Sequence, residues 1–559
     1  SMSVRTVLLV DVIQFPKSEL LKVLGKDVHE VFYHYQIKPE PIGLLYVGAA
    51  LKKERPDIEV KILDLNNLFS LAMEDNYFQT RSLDDFLREQ FEPVLRRMRP
   101  EVVGLQYLFS ASKEYVLHLA ELTKKILPEA KVVIGGNAAT AVSDALLKLP
   151  SVDYVLLGEG ERPMARLVNH IDAGGDGDPD IQGVAGKTVR STERDLLDDL
   201  DEIPFPDFDL LLMDKEWYFN QLGWGRITYP DEWAEPGAVY RSAAFLHSRG
   251  CPYQCIFCAS HVVHGRKLRQ RSIENVREEL TMYKEKYGIN RVLANDDTFN
   301  FDKDRTLALC EIISGLGMEL VLPNNISMRV LDDDICKAFK STRTKSLHIA
   351  IESGNQEIQL KVMKKKLDLE DIRRKVHLLR KYNFWVRAYW VLGLPGETPK
   401  TVRDTIEYAA SLPLDWNVFH MATPLVGSEM FDIAQRTGIM RYKDDTDIHY
   451  ENLSMDVLEP YGVSIREVYD YANISVNFMD NHNMMNGELN RAVGAFKDVL
   501  RCYPFHAIGW HCLKQCYERM GDAQGLAEAE AGLDKALENP DGRAAFDKYV
   551  TRGFRVELQ

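Results

Sequence analysis

Two stretches of the chain alternate short apolar runs with segments of helical spacing. In the first, TVLLVDV (6–12), EVKILDL (59–65), VVGLQYL (102–108), AKVVIGG (130–136) and the start of DYVLLGEGE (153–161) are almost continuously apolar, as strands covered on both faces are. IGLLYVGAALKKE (42–54) and SKEYVLHLAELTKKIL (112–127) lie between them and have the three-and-four spacing of helices. This predicts an α/β fold that opens with a doubly wound, Rossmann-like parallel sheet over residues 1–161. Ligands of such sheets lie beyond the strands' C-terminal ends, here Asp11, Leu108–Ser112, Gly135–Gly136 and Gly158–Glu161.

Residues 162–241 read as a linker or insert. IPFPDFD (203–209) is rich in proline and aromatics, and 213–241 contains Trp217, Trp224 and Trp233 with little periodicity. That stretch is either a substrate-covering insertion or a packed connector. Residues 242–440 alternate again. SAAFLHS (242–248), RVLAND (291–296), VLPNNIS (321–327), SLHIAIE (346–352), FWVRAYWVLG (384–393) and NVFHMATPL (417–425) read as strands separated by helices. They predict a full or partial βα barrel whose chemistry sits at the C-terminal strand ends.

Residues 441–559 have helical spacing only. Ala492, Phe496 and Pro504 are spaced as in one tetratricopeptide helix pair, and Trp510, Leu513 and Tyr517 begin a poorer copy. Solenoids need about three repeats, so this is read as a helical C-terminal domain capping the barrel, with a protein-binding arm as the alternative.

Charge and composition narrow the classes. With 69 Lys+Arg against 84 Asp+Glu and 45% hydrophobic residues, the chain is neither disordered nor an obvious nucleic-acid binder. Its densest basic run, KVMKKK (361–366), reads as a solvated helix end, with a binding patch as the alternative. No apolar run reaches the roughly 18 residues of a membrane span, and no signal-peptide pattern opens the chain. Eight cysteines in such a chain fit a reducing cytoplasm.

Three of those cysteines, Cys251, Cys255 and Cys258, fall in GCPYQCIFC (250–258), directly after the first barrel strand. A structural zinc site usually has four protein ligands, often as two C-x2-C pairs. No second pair exists, and Cys310, Cys336, Cys502, Cys512 and Cys516 are scattered. A [4Fe–4S] cluster has four iron corners, so three thiolates leave one iron open to a non-protein ligand.

The C-x3-C-x2-C loop, with Phe257 before its last cysteine, resembles that of the radical S-adenosylmethionine (SAM) superfamily. The resemblance implies that the open iron binds SAM and that reductive cleavage yields a 5′-deoxyadenosyl radical. It also implies a SAM site at successive strand ends: Phe257, Asp296 (or Asp297) for the amino group, Ser327 and Arg329 for the carboxylate, Glu352 of IESG for the ribose, and Gly393 and Leu394 of VLGLPGET for the adenine.

PEPIGLLYVGAAL (39–51), RPEVVGLQYLFSASKEY (99–115), AKVVIGGNAAT (130–140) and VDYVLLGEGE (152–161) further resemble the cobalamin-binding class of that superfamily. This implies cobalamin on the sheet edge. Tyr107, Leu108, Ser110 and Ser112 would lie under the corrin, and Gly135, Gly136, Glu159 and Gly160 along the nucleotide tail. The region after the first strand, DVIQFPKSE (11–19), has no histidine, and His34 is too far along, so cobalamin is expected without a histidine lower ligand.

The class implies methyl transfer from methylcobalamin to an unactivated carbon, with ring formation or rearrangement as the alternative. A methylthiolase is disfavoured, because no cysteine precedes Cys251. The implied partners are a small-molecule or peptide substrate and an external one-electron reductant of flavodoxin or ferredoxin type. Candidates facing the substrate are Tyr389, Trp390 and His420, with His247, Tyr253 and Thr423 beside them. Alternation along a strand turns only one of Tyr389 and Trp390 inward.

Overall fold

The computed structural model describes residues 3–27, 39–175, 177–220, 233, 235–440 and 455–559. His34 and Trp224 lie outside the described residues. The first unit is a six-stranded sheet ordered β2-β1-β3-β4-β5-β6, with β1 Thr6–Asp11, β2 Glu59–Asp64, β3 Val102–Gln106, β4 Lys131–Gly135, β5 Tyr154–Leu156 and β6 Val184–Ala185. Five strands are parallel, and β6 adds antiparallel to the edge. The period of two sorts β1 between layers. Val7 and Leu9 pack with Leu44, Leu45 and Leu167 of helices Ile42–Glu54 and Glu161–Asp172, whereas Leu8 and Val10 pack with Val116 and Leu119 of helix Lys113–Ile126. Helix Glu161–Asp172 and β6 carry the first unit past residue 161.

The described part of 162–220 is a packed connector. Phe208, Leu210 and Leu211 are buried in the larger apolar core, and the Tyr218 hydroxyl donates to Asp64 Oδ2 at 2.7 Å.

The barrel is partial. β7 Ser242–Phe245, β10 Arg291–Ala294 and β11 Glu319–Val321 form one parallel run, and β12 Ser346–Glu352, β13 Trp385–Leu392 and β14 Trp416–Met421 form another. A parallel bridge, Asn325 to His348, joins the runs. Among the described residues no ladder closes β14 onto β7. The third strand is shorter than VLPNNIS predicts, because Pro323 has no N–H to donate to a ladder. A two-residue hairpin, β8 Ser248–Arg249 and β9 Arg269–Gln270, interrupts the first βα unit.

The first C-terminal helix, Ile465–Ile474, and the turn after it belong to the barrel's own core, while the later helices form a cluster of their own. Ile465, Val468, Ala472 and Val476 are buried in the same apolar cluster as Leu347 and Val386. Helix Leu489–Cys502 places Arg491 Nη1 at 2.8 and 2.9 Å from the buried Asp415 carboxylate, and Asn477 and Asn417 exchange two hydrogen bonds. Helices Leu489–Cys502, Ala507–Met520 and Ala523–Glu538 pack around Ala492, Phe496, Leu513, Tyr517 and Ala529. Among the described residues, no helix is long and apolar enough to cross a membrane.

Candidate functional site

The cysteine loop springs from the hairpin β8–β9. Gly250 closes its neck at φ +86°, where a Cβ would stand 2.3 Å from the Lys267 carbonyl oxygen, so only glycine fits. The Cys258 N–H donates to the Cys255 carbonyl at 3.2 Å, folding the loop on itself. The three cysteines are free and half-buried. Burial pushes their thiols up, Cys255 to about 11, and their mutual proximity adds to the shift; Lys365 opposes it at Cys251 and Cys255. Unmetallated, the trio disfavours negative charge, which is the condition a thiophilic cation relieves. Among the described residues, no three His, Cys, Asp or Glu side chains close on one point as ligands of a single ion do. Three thiols in one loop, with no second C-x2-C pair in the chain, suit three corners of a [4Fe–4S] cluster better than a four-ligand structural zinc site.

Around this loop the strand ends converge. Glu352 ends β12 at φ +71°, where the ladder register shifts. A non-glycine residue held there is strained, and such strain clusters at functional sites. The Glu352 carboxyl is 5% exposed, is raised by burial, and lies 3.6 Å from Lys365 Nζ. Ser327 is held through its backbone by Asn300, which accepts from its N–H at 2.7 Å and donates to its carbonyl at 2.9 Å. Arg329 lies 4.6 Å over the Tyr253 ring of the cysteine loop and donates to the Lys365 carbonyl.

The sheet edge of the first unit offers a second cradle. Gly136 has φ +119° and ψ −179°, and a Cβ on it would stand 2.5 Å from the Tyr107 carbonyl oxygen. Beside it, Ser112 Oγ and Asn137 Oδ1 are buried with no partner, although buried polar atoms normally have one. Leu108 is half-buried, Ser110 opens a single turn to Ser112, and Phe109 is 51% exposed. A backbone cradle, orphaned acceptors and an exposed ring fit a large planar ligand with a polar tail, as cobalamin is. Helix His261–His264, directly after the cysteine loop, packs against helix Asn137–Ala141 of the sheet edge. Ile256 of the cysteine loop is buried in the same apolar cluster as Ala139 and Val142 of the sheet edge.

Two family models match the chain, the B12 binding domain over residues 33–168 and the radical SAM superfamily over 245–409. The chain belongs to the cobalamin-binding radical SAM family. It is 28% identical over 440 residues to cytidylyl-2-hydroxyethylphosphonate methyltransferase of Streptomyces wedmorensis, spanning 72% of this chain and 78% of the relative. An uncharacterized methyltransferase of Pyrococcus horikoshii is 27% identical over 402 residues, 70% of this chain and 78% of that one. The fold matches the radical SAM methyltransferase TsrM from Kitasatospora setae, solved with cobalamin and a [4Fe-4S] cluster, at TM-score 0.56 and 17% identity, over 97% of this chain and 100% of that chain. It also matches the cobalamin-dependent radical enzyme OxsB, at TM-score 0.61 and 12% identity, over 99% and 82%.

As a radical SAM protein this chain departs from several of its sequence expectations. Asp296 is engaged at the hairpin through one oxygen only, and its Oδ2 is buried with no partner. The residue is buried, and its Oδ1 accepts from the His247 and Ser248 N–H groups at 3.0 and 2.7 Å and from Ser248 Oγ at 2.6 Å, fixing the entry to the hairpin. The carboxylate that opposes ionisation of Cys251 and Cys258 is Asp297, bonded by Ser260 Oγ at 2.9 Å. The N–H groups of Gly393 and Leu394 both donate to Glu397 Oε2, at 2.8 and 2.9 Å, so the turn is preset by its own glutamate and these donors are already engaged. The Leu394 side chain is buried, and Phe257 packs against the apolar cluster that holds Ile256.

On the sheet edge, the Tyr107 side chain is 2% exposed and packed in the core, so only its backbone shapes the cradle. Glu159 is drawn away from any nucleotide tail by Arg269 and His264. Gly160 caps helix Glu161–Asp172 against Val47.

Trp390 is also not a substrate contact. It is fully buried, donates Nε1–H to Asn417 Oδ1 at 2.8 Å, and meets Tyr408 of the outer helix Pro399–Ser411 edge-on. Tyr389 faces the opposite way. It stacks between His348 and His420 on neighbouring strands, at 5.7 and 6.0 Å between ring centres, with its hydroxyl 2.8 Å from His348 Nδ1. Burial holds His348 neutral, its pKa lowered to about 3, and its Nε2 is buried with no partner.

Sequence reading missed His348 and misassigned Lys365. The run 361–366 is not a solvated helix end: Lys364 and Lys366 take φ +56° and +57°, Lys364 pairs with Glu429, and Lys365 turns in to Glu352 and the Ala350 carbonyl. The available signal was its place, one short helical turn after IESG.

Proposed function

We propose that this enzyme methylates an unactivated carbon of a small-molecule substrate held between the cobalamin edge and the barrel mouth. The observation that carries the reading is the packing of helix His261–His264, which follows the cysteine loop, against helix Asn137–Ala141 at the sheet edge. When bound, the cluster with SAM supplies a deoxyadenosyl radical, and cobalamin supplies the methyl group.

The chain's own residues bind, orient and exclude water. Cys251, Cys255 and Cys258 hold three irons. Glu352, with Lys365 beside it, accepts from the ribose hydroxyls, Ser327 and Arg329 face the carboxylate, and Asp297 takes the amino-group role expected of Asp296. Gly136, Leu108, Ser110 and Ser112 receive cobalamin without a histidine ligand. Tyr389 and His420, backed by His348, form the wall against which the substrate carbon is placed. An electron donor of flavodoxin or ferredoxin type supplies the reducing electron.

Ring formation is the competing reading. A relative from Rubrivivax gelatinosus, 24% identical over 370 residues, is an anaerobic magnesium-protoporphyrin IX monomethyl ester cyclase. The anaerobically reconstituted protein, given cobalamin, reductant and methyl-labelled SAM, separates the two. A methylase releases S-adenosylhomocysteine together with 5′-deoxyadenosine and labels its acceptor, with cytidylyl phosphonates as the first acceptors to try. Deoxyadenosine without S-adenosylhomocysteine overturns methylation.

A further inference from the structure

The cysteine loop is bracketed by two arginines whose partner carboxylates lie in the other domain. Arg249 and Arg269 face each other across the β8–β9 ladder and are 9% and 4% exposed. Glu159 Oε1 accepts from Arg269 Nη2 at 2.5 Å and lies 2.9 Å from His264 Nδ1. Glu159 Oε2 accepts from Arg269 Nη1 at 3.0 Å and lies 3.5 Å from Arg249 Nη1. Glu161 Oε1 accepts from Arg249 Nη2 at 2.5 Å, and Arg249 lies 5.7 Å over the Tyr46 ring.

Both glutamates follow β5, on the sheet edge that carries Gly136 and Ser112. Exposed ion pairs are weak and adopt many geometries. A buried pair with two parallel N–H bonds has essentially one. Burial alone would raise Glu159, but the His264 and Arg269 bonds hold it well below the usual carboxylate range. The network therefore stays charged.

We propose that Glu159, Glu161, Arg249 and Arg269 form an inter-domain latch that sets the separation of cobalamin from the cluster and thereby couples radical formation to methyl transfer. They are positioning residues, since they act through the hairpin and the sheet edge. The latch rests on the two-cofactor methylase reading.

The test uses the holoenzyme with both cofactors and the variants Glu159→Gln and Arg269→Lys. The control is Asp198→Asn, which breaks the exposed pair between Asp198 of the connector and Lys267 of the cysteine loop. Iron and cobalt contents are counted, and the magnetic interaction between cob(II)alamin and the reduced cluster is measured by electron paramagnetic resonance. The ratio of 5′-deoxyadenosine to S-adenosylhomocysteine is then followed. Expected is retained iron and cobalt, a weakened or broadened cobalt–cluster interaction in both latch variants, and a ratio raised roughly tenfold to a hundredfold, with the control unchanged.

An unchanged interaction and ratio in Arg269→Lys or in folded Glu159→Gln overturns the latch while leaving the methylase reading intact. Wild-type protein that takes up no cobalt overturns both.

Discussion

The cysteine loop and the cobalamin edge receive their ligands by different means. Around the loop, side chains carry the chemistry: three thiols, a strained and buried Glu352, and Lys365 beside it. At the edge, backbone carries the shape. The fit there rests on the missing Cβ of Gly136 against the Tyr107 carbonyl, and of the residues expected to touch the nucleotide, Glu159 belongs to another network. A site built from reactive side chains is damaged by removing a functional group. A site built from backbone is damaged by adding an atom.

The largest effect expected from that contrast is at the cysteines. Replacing any one of Cys251, Cys255 or Cys258 by Ala should abolish SAM cleavage and lower the iron count from about four, with cobalamin still retained. Iron analysis with a deoxyadenosine assay checks this. SAM cleavage surviving in any of the three would break the comparison at its root.

Gly136→Ala should do the reverse. Its φ and ψ are accessible essentially to glycine alone, and the added Cβ meets backbone, which cannot move aside cheaply. Cobalamin retention should fall by tenfold or more, about 1.4 kcal/mol, with iron content and SAM cleavage unchanged. Loss of both cofactors would mean that the cradle is structural for the whole chain.

The same contrast explains what was legible in the sequence. The parallel strands were readable because burial on both faces leaves continuous apolar runs, as in TVLLVDV. The cysteine spacing was readable because it is local. Asp296 and Asp297 were not separable in the sequence because they have the same chemistry one residue apart, and only the path of the chain sets one on the hairpin N–H groups and the other near the cysteines. Glu159 was misassigned because its partners lie more than a hundred residues later and no local pattern announces them. Lys365 was hidden in a charge run, because the two left-handed lysines that turn it inward look no different from solvated ones.

Within the loop region, side chains should rank by burial. Glu352→Gln removes a charge that is 5% exposed at a strand end and should weaken SAM binding by about tenfold, 1.4 kcal/mol, as measured by equilibrium titration of the reconstituted protein. Lys364→Ala breaks a pair with Glu429 whose side chains are 38% and 40% exposed, and should change unfolding free energy by less than about 1 kcal/mol without touching SAM affinity. If the two variants weaken SAM equally, burial does not rank these side chains and the exposed Lys364–Glu429 pair belongs to the SAM site as much as Glu352 does.

The effect least tied to the two cofactor sites is a pH dependence of stability set by the turn at the end of β13. Burial raises the Glu397 carboxyl from 4.5 to about 7, against the opposing bonds from Leu394 and Gly393. The folded chain therefore holds this proton more tightly than the unfolded chain does. The stability it contributes is complete below 4.5 and is lost as pH rises through about 7. Glu397→Gln keeps an acceptor for the two N–H groups and removes the titration. Its Tm should fall less steeply than the wild type's as pH rises across that window. An equal slope in the two proteins would place the dependence elsewhere, first at Glu40, which burial also raises to about 7 and whose carboxylate accepts from the Ala244 N–H across the domain boundary at 2.5 Å.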